Sequence, residues 1–159
     1  ELFGLELSKE KTRILPFGRN CGTRETFDFL GFTHFNSKTR KGYYSVGHKI
    51  SRKKKKQFKS NLKKWVKENR DKQFDEFMKK LNKKLTGSFN YYSLSGMIRE
   101  VRSLWIHSLY VTFKWLNRRS QRRSFKLERF YEIWNVRIIH PYIHVDIWSG
   151  DKVIYNKNV

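Results

Sequence analysis

From Ser51 onward the apolar residues return every three or four positions, and that period commits the middle of the chain to helices packed on one another. Phe74, Phe77, Met78, Leu81 and Leu85 fall at i, i+3, i+4, i+7 and i+11, so their side chains share one helical face. Asp71 or a neighbour starts that helix, and Gly87 is its natural stop. Before it, Ser51 caps a helix running to about Asn69, with Phe58, Leu62, Trp65 and Val66 on one side. After a Ser/Asn/Tyr connector, Ser95 opens a third helix to about Arg119, carrying Ile98, Val101, Trp105, Leu109, Phe113 and Leu116. Ser124 caps a short fourth helix with Phe125, Phe130 and Tyr131. Such stripes are buried only against each other, which predicts a bundle.

Ahead of Ser51 the pattern is that of strands. Phe3, Leu5 and Leu7 alternate with other residues, as at the end of a larger element. Thr12–Phe17 and Thr26–Thr33 are rich in β-branched and aromatic residues around a Gly/Asn/Thr segment, which predicts a hairpin with Phe27, Phe29 and Leu30 as inward candidates. A more polar pair follows around Thr33–Phe35 and Gly42–Val46, joined by the basic turn Asn36–Lys41. The tail, Val136–Val159, turns to β character again, with Ser149-Gly150-Asp151 between Ile143–Trp148 and Lys152–Tyr155 as a hairpin signal. The expected fold is α+β and mainly α: N-terminal β-hairpins, a bundle of three to four helices, and a short C-terminal β-hairpin. The expected divisions are 1–48, 49–135 and 136–159.

Charge narrows the function. Lys and Arg number 36 against 14 Asp and Glu, a net +22 in 159 residues. Self-repulsion of that size strains a compact state unless a polyanion neutralises it, and RNA, DNA and anionic membrane are the obvious ones. Membrane is disfavoured, because no apolar run approaches 18 residues and no signal or lipidation motif is present. The single cysteine, Cys21, excludes an internal disulfide framework and fits a reducing cytoplasm. The excess is also concentrated: residues 37–90 hold 19 bases against four acids, whereas residues 1–36 hold five of each.

Lys53-Lys54-Lys55-Lys56 sits in the first turns of its helix, where the dipole is positive and four lysines are unfavourable. A phosphate backbone would offset both repulsions. Lys59, Lys63, Lys64 and Lys67 continue on the polar side, making a stripe that can follow a strand. Lys79, Lys80, Lys83 and Lys84 form a second group near a helix end, where the dipole alone accounts for cations. Arg118, Arg119, Arg122 and Arg123 exceed any capping need, and arginine grips phosphate bidentately and stacks on bases. Tyr91 and Tyr92, read as connector residues, are candidate stacking platforms for unpaired bases.

Catalytic signals are weak by comparison. His140, His144 and Asp146 have no second carboxylate or cysteine cluster, and Pro141 breaks any regular helix between the histidines, so metal or nuclease chemistry is set aside. Cys21, in a Gly/Asn loop, reads as an incidental thiol. Two-metal polymerisation needs clustered carboxylates, and no Asp-Asp pair occurs in the sequence. No catalytic residue, metal ligand or cofactor site is therefore expected in this chain.

The residues resemble a family. Leu5-Glu-Leu-Ser-Lys-Glu-Lys-Thr-Arg-Ile14, followed by Phe27-Asp-Phe-Leu-Gly-Phe32, is similar to the last palm motif of group II intron reverse transcriptases and its entry to the thumb. Leu81-Asn-Lys-Lys-Leu-Thr-Gly-Ser-Phe-Asn-Tyr-Tyr92 resembles the maturase signature, and Trp115-Leu-Asn-Arg-Arg-Ser-Gln-Arg-Arg-Ser124 the segment that follows it in bacterial members. The likeness covers roughly residues 1–140. It implies a cytoplasmic RNA-directed DNA polymerase of a mobile element, whose fingers and palm, with the metal-binding Tyr-Ala-Asp-Asp turn and its Mg²⁺, precede Glu1. Residues 1–48 would be the end of the palm, 49–135 the thumb or maturase domain, and 136–159 a β extension. The partners implied are intron RNA, an RNA template with its DNA primer, and the missing fingers and palm. The functions implied are RNA splicing and retrohoming. By motif position Lys9, Lys11 and Arg13 would lie near the palm–thumb junction, and Lys53–Lys56, Arg118, Arg119, Arg122 and Arg123 would face RNA. Residues 143–159 depart from the family pattern, and no DNA-binding or H-N-H endonuclease segment is seen. The alternatives are a non-specific DNA-binding basic module, or the catalytic part of a nuclease or polymerase.

Overall fold

Gly31 sets the first turn. The computed structural model describes residues 12, 14–22, 24–119 and 124–143. In it β1 (Thr26–Phe29) and β2 (Phe32–Lys38) pair antiparallel, with Phe27 opposite His34 and Phe29 opposite Phe32. Only Leu30 and Gly31 join them, both at positive φ (48° and 84°), the geometry of a two-residue turn that matches strand twist. Leu30 is therefore the turn's first central residue rather than an inward strand residue, and both it and Phe29 are exposed. β3 (Tyr44–Ile50) completes a three-stranded sheet in the order β1-β2-β3. The partner of β1 is β2, and the described residues of 12–17 form no strand. Phe17 instead sets its ring edge-on to Phe27, centroids 4.9 Å apart. The Phe35 ring lies where a side chain on Gly47 would stand, so glycine is required there for close approach.

The chain divides into two compact units, Glu1–His48 and Lys49–Val159. The second holds the helices α1 (Arg52–Asn69), α2 (Phe74–Tyr92), α3 (Ile98–Leu116) and α4 (Leu127–Arg137). Ser51 caps α1, its hydroxyl accepting from the Lys54 backbone N–H at 3.4 Å. Gly87 does not stop α2. Leu81, Leu85, Phe89 and Tyr92 keep to one buried face, and the helix continues through the glycine to bury the last two. α3 begins later than Ser95, because Leu94–Met97 form a turn around Gly96 (φ 82°) that Met97 closes with its N–H on the Leu94 carbonyl. α4 likewise begins after Ser124. The Asn117 side chain accepts from the Phe125 N–H at 2.9 Å and donates to its carbonyl at 3.1 Å, holding that stretch extended.

The core is an aromatic chain flanked by leucines. Ring centroids step from Phe74 to Phe125 (5.4 Å), Phe130 (5.5 Å), Trp134 (6.0 Å) and Trp105 (6.0 Å). Full burial of side chains this size contributes about 1.5–3 kcal/mol each. The chain leaving α4 is pinned across the bundle, since the Ile139 N–H donates to Asn82 of α2 and its carbonyl accepts from the Trp105 indole of α3. The expected C-terminal hairpin lies, apart from Ile143, outside the described residues.

Candidate nucleic-acid interface

Four lysines in a row cannot share one side of a helix, because each residue turns about 100° from the last. Lys53 points to the outer face, Lys54 to the flank away from Lys56, and Lys55 inward. Lys55 is half-buried and its ammonium lies 2.5 Å from a Glu100 carboxylate oxygen on α3. What shares one edge of α1 is Arg52, Lys56, Lys59, Lys63 and Lys67, at i, i+4, i+7, i+11 and i+15. All are exposed except half-buried Lys59. At 1.5 Å per residue the edge is about 22 Å long, with cations about 5–6 Å apart. The one carboxylate of α1, Glu68, stands 4.0 Å from Lys64 and off this edge.

α3 runs beside α1 in the same direction. Lys55 meets Glu100 near the two N-terminal ends, Lys59 faces His107 midway, and Lys67 reaches the Trp115 ring near the C-terminal ends. Burial, and then the charge of Lys59, hold the His107 imidazole below its ordinary value of 6.5. The cationic edge thus borders the seam between two parallel helices. At its far end the Trp115 ring gathers three cations: Lys67 Nζ at 5.7 Å, Arg70 Cζ at 5.5 Å and Arg118 Cζ at 5.6 Å from the centroid. Sequence reading missed this gathering, although an indole three residues ahead of a double arginine was a signal for it.

The other predicted residues fall as follows. Lys63, Lys64, Arg118 and Arg119 are exposed. Arg122 and Arg123 lie outside the described residues. Tyr91 and Tyr92 are the last residues of α2 rather than a connector. Their rings meet edge-on at 4.9 Å, with Tyr91 53% exposed and Tyr92 only 8%. Tyr92 is thus a core residue, because α2 overruns Gly87. For the same reason Lys79, Lys80, Lys83 and Lys84 are mid-helix, beyond the reach of the C-terminal dipole, and Lys80 pairs with Glu76 at 2.6 Å. His140 tilts against Trp105 at 5.1 Å, while His144 and Asp146 lie outside the described residues. Among the described residues no three His, Cys, Asp or Glu side chains converge as a metal site would need, and no helix is long and apolar enough to cross a membrane.

Residues 55–132 match the model of a family described as the group II intron, maturase-specific domain. That stretch of the helical unit is similar to a maturase-specific domain. No curated protein and no solved structure matches the chain closely enough to count. The match runs from the first turn of α1 to the middle of α4, so the matched stretch contains the cationic edge from Lys56 to Lys67, the Lys55–Glu100 pair and the Trp115 site. The sheet lies outside it.

Proposed function

We propose that this chain is the RNA-binding thumb segment of a group II intron reverse transcriptase, which assists splicing of the intron RNA and helps position template and primer for RNA-directed DNA synthesis. The observation that carries the proposal is the uninterrupted cationic edge of α1 within the matched domain. Cations about one helical turn apart, without carboxylates between them, repel each other in the free protein and are relieved when phosphates release their counterions. In this reading the Glu1–His48 unit is the end of the palm, on the strength of its Phe27–Phe32 motif. Polymerisation chemistry and its Mg²⁺ belong to carboxylates of the fingers and palm, and this chain supplies grip rather than bond formation.

A competition experiment tests the proposal. Labelled group II intron RNA bound to the full chain is challenged with unlabelled intron RNA or bulk duplex DNA at matched salt. The proposal expects RNA to compete at far lower concentration, since a folded RNA offers bends and unpaired segments that a uniform duplex lacks. Equal competition would favour a non-specific DNA-binding module.

A further inference from the structure

We propose that Trp115, Lys67, Arg70 and Arg118 form a discrete phosphodiester site at the C-terminal end of the α1–α3 seam, where one backbone phosphate of the bound RNA is anchored. The inference rests on the RNA-binding reading above and goes beyond it by separating one fixed anchor from the row of cations along the rest of the α1 edge.

One indole can collect several cations. The negative face of the ring attracts cations, and the C-terminal dipoles of α1 and α3 favour positive charge at the same place. Both effects hold cations there, and two C-terminal dipoles, each equivalent to about half a negative charge, offset only part of three full positive charges. Three cations within 5.7 Å of one centroid are at most about 11 Å from each other, comparable with the Debye length of roughly 10 Å at 0.1 M salt, so salt screens their repulsion only in part. The carboxylate at hand, Asp71, stands 3.8 Å from Arg70 Nε, beyond hydrogen-bonding reach, and is largely exposed. The Arg70 Nε is buried and meets no hydrogen-bond acceptor. The exposed Arg118 guanidinium, the partly exposed Arg70 side chain (27%) and a lysine are the donor set for a phosphodiester, whose two free oxygens accept from guanidinium forks. Trp115 is the positioning residue. Its ring fixes where long, flexible side chains stand, so the anion meets a preformed site rather than ordering one on arrival.

The test measures binding of the full chain to group II intron RNA across a KCl series, with helical content followed by circular dichroism. Arg70→Gln and Arg118→Gln should each weaken binding and reduce the log–log salt slope by about 0.7–0.9. Trp115→Leu changes no charge, yet should weaken binding and flatten the slope by dispersing the cations, whereas Trp115→Phe, which keeps an aromatic face, should retain most of both. If Trp115→Leu lowers helical content, the exposed Arg118 variant carries the test. Full affinity and slope in Arg118→Gln and Arg70→Gln, with Lys56→Gln and Lys63→Gln still weakening binding, would overturn the anchor and leave the RNA-binding reading standing. A wild-type slope near zero would overturn both.

Discussion

At Gly87 two opposing quantities decide the course of a helix. Glycine in a helix interior costs about 1 kcal/mol relative to alanine, whereas burying Phe89 and Tyr92 contributes about 1.5–3 kcal/mol each. Burial wins, and α2 runs on to Tyr92. A glycine after a periodic run is a good stop signal only when nothing apolar continues the period, and here Phe89 and Tyr92 did. Nothing stands within 4 Å of a Cβ placed on Gly87. Gly87→Ala should accordingly raise the stability of the helical unit by about 0.5–1 kcal/mol, read as a higher denaturation midpoint. Leu30 shows the opposite failure of legibility. Its apolar side chain suggests a strand interior, but Gly31 beside it demands a two-residue turn, and Leu30 accepts φ 48° in consequence. Leu30→Asn, suited to that conformation, should slow amide exchange in β1 and β2, with a gain of about 1 kcal/mol. Faster exchange would show that the Leu30 side chain contributes more than its backbone costs.

The elements themselves were more legible than their ends. Ser51 was readable as a cap because a hydroxyl directly before a helical period has one common role, and its side chain does accept the Lys54 N–H. Ser95 and Ser124 carried the same signal, yet the helices begin later, with Met97 and Lys126 as N-caps, because a turn at Gly96 and the Asn117 clamp on Phe125 intervene. The pairing of α1 with α3 was not legible, since no local pattern links Lys55 to Glu100 or Lys59 to His107. That seam makes a pH prediction. The His107 pKa is lowered by burial first and Lys59 second, so the folded state favours the neutral ring. A depressed folded value means that the unfolded chain takes up the proton more readily. The contribution is therefore present above about 6.5, the unfolded value, and is lost as pH falls below it. Thermal melts of the helical unit between pH 7.5 and 5.5 should show lower midpoints at the acidic end, and His107→Gln should reduce that dependence. His48 behaves alike within the sheet, where burial and then His34, whose Nδ1 is 2.9 Å from its own, lower its pKa.

Over the whole chain, the mainly helical α+β class followed from two periods and their change at Ser51. The charge excess pointed to a polyanion because its concentration in residues 37–90 was visible in the sequence. Part of the aligned edge was visible, since Lys59, Lys63 and Lys67 already stand at helical spacing on the polar side; the departure of Lys55 from its run was not, because its partner Glu100 is 45 residues away. Lys53–Lys56 attract the eye, yet Lys55 spends its charge on Glu100 and the aligned edge is Arg52, Lys56, Lys59, Lys63 and Lys67. In the proposed function that edge meets phosphates. Its most direct test is the salt dependence of intron RNA affinity for the wild-type chain and for the variant Lys56→Gln/Lys59→Gln/Lys63→Gln. Each lost phosphate contact should take about 0.7–0.9 from the log–log slope, so the variant's line should be shallower by roughly two to three, with helical content unchanged. A variant whose slope and affinity equal those of the wild type would contradict the account.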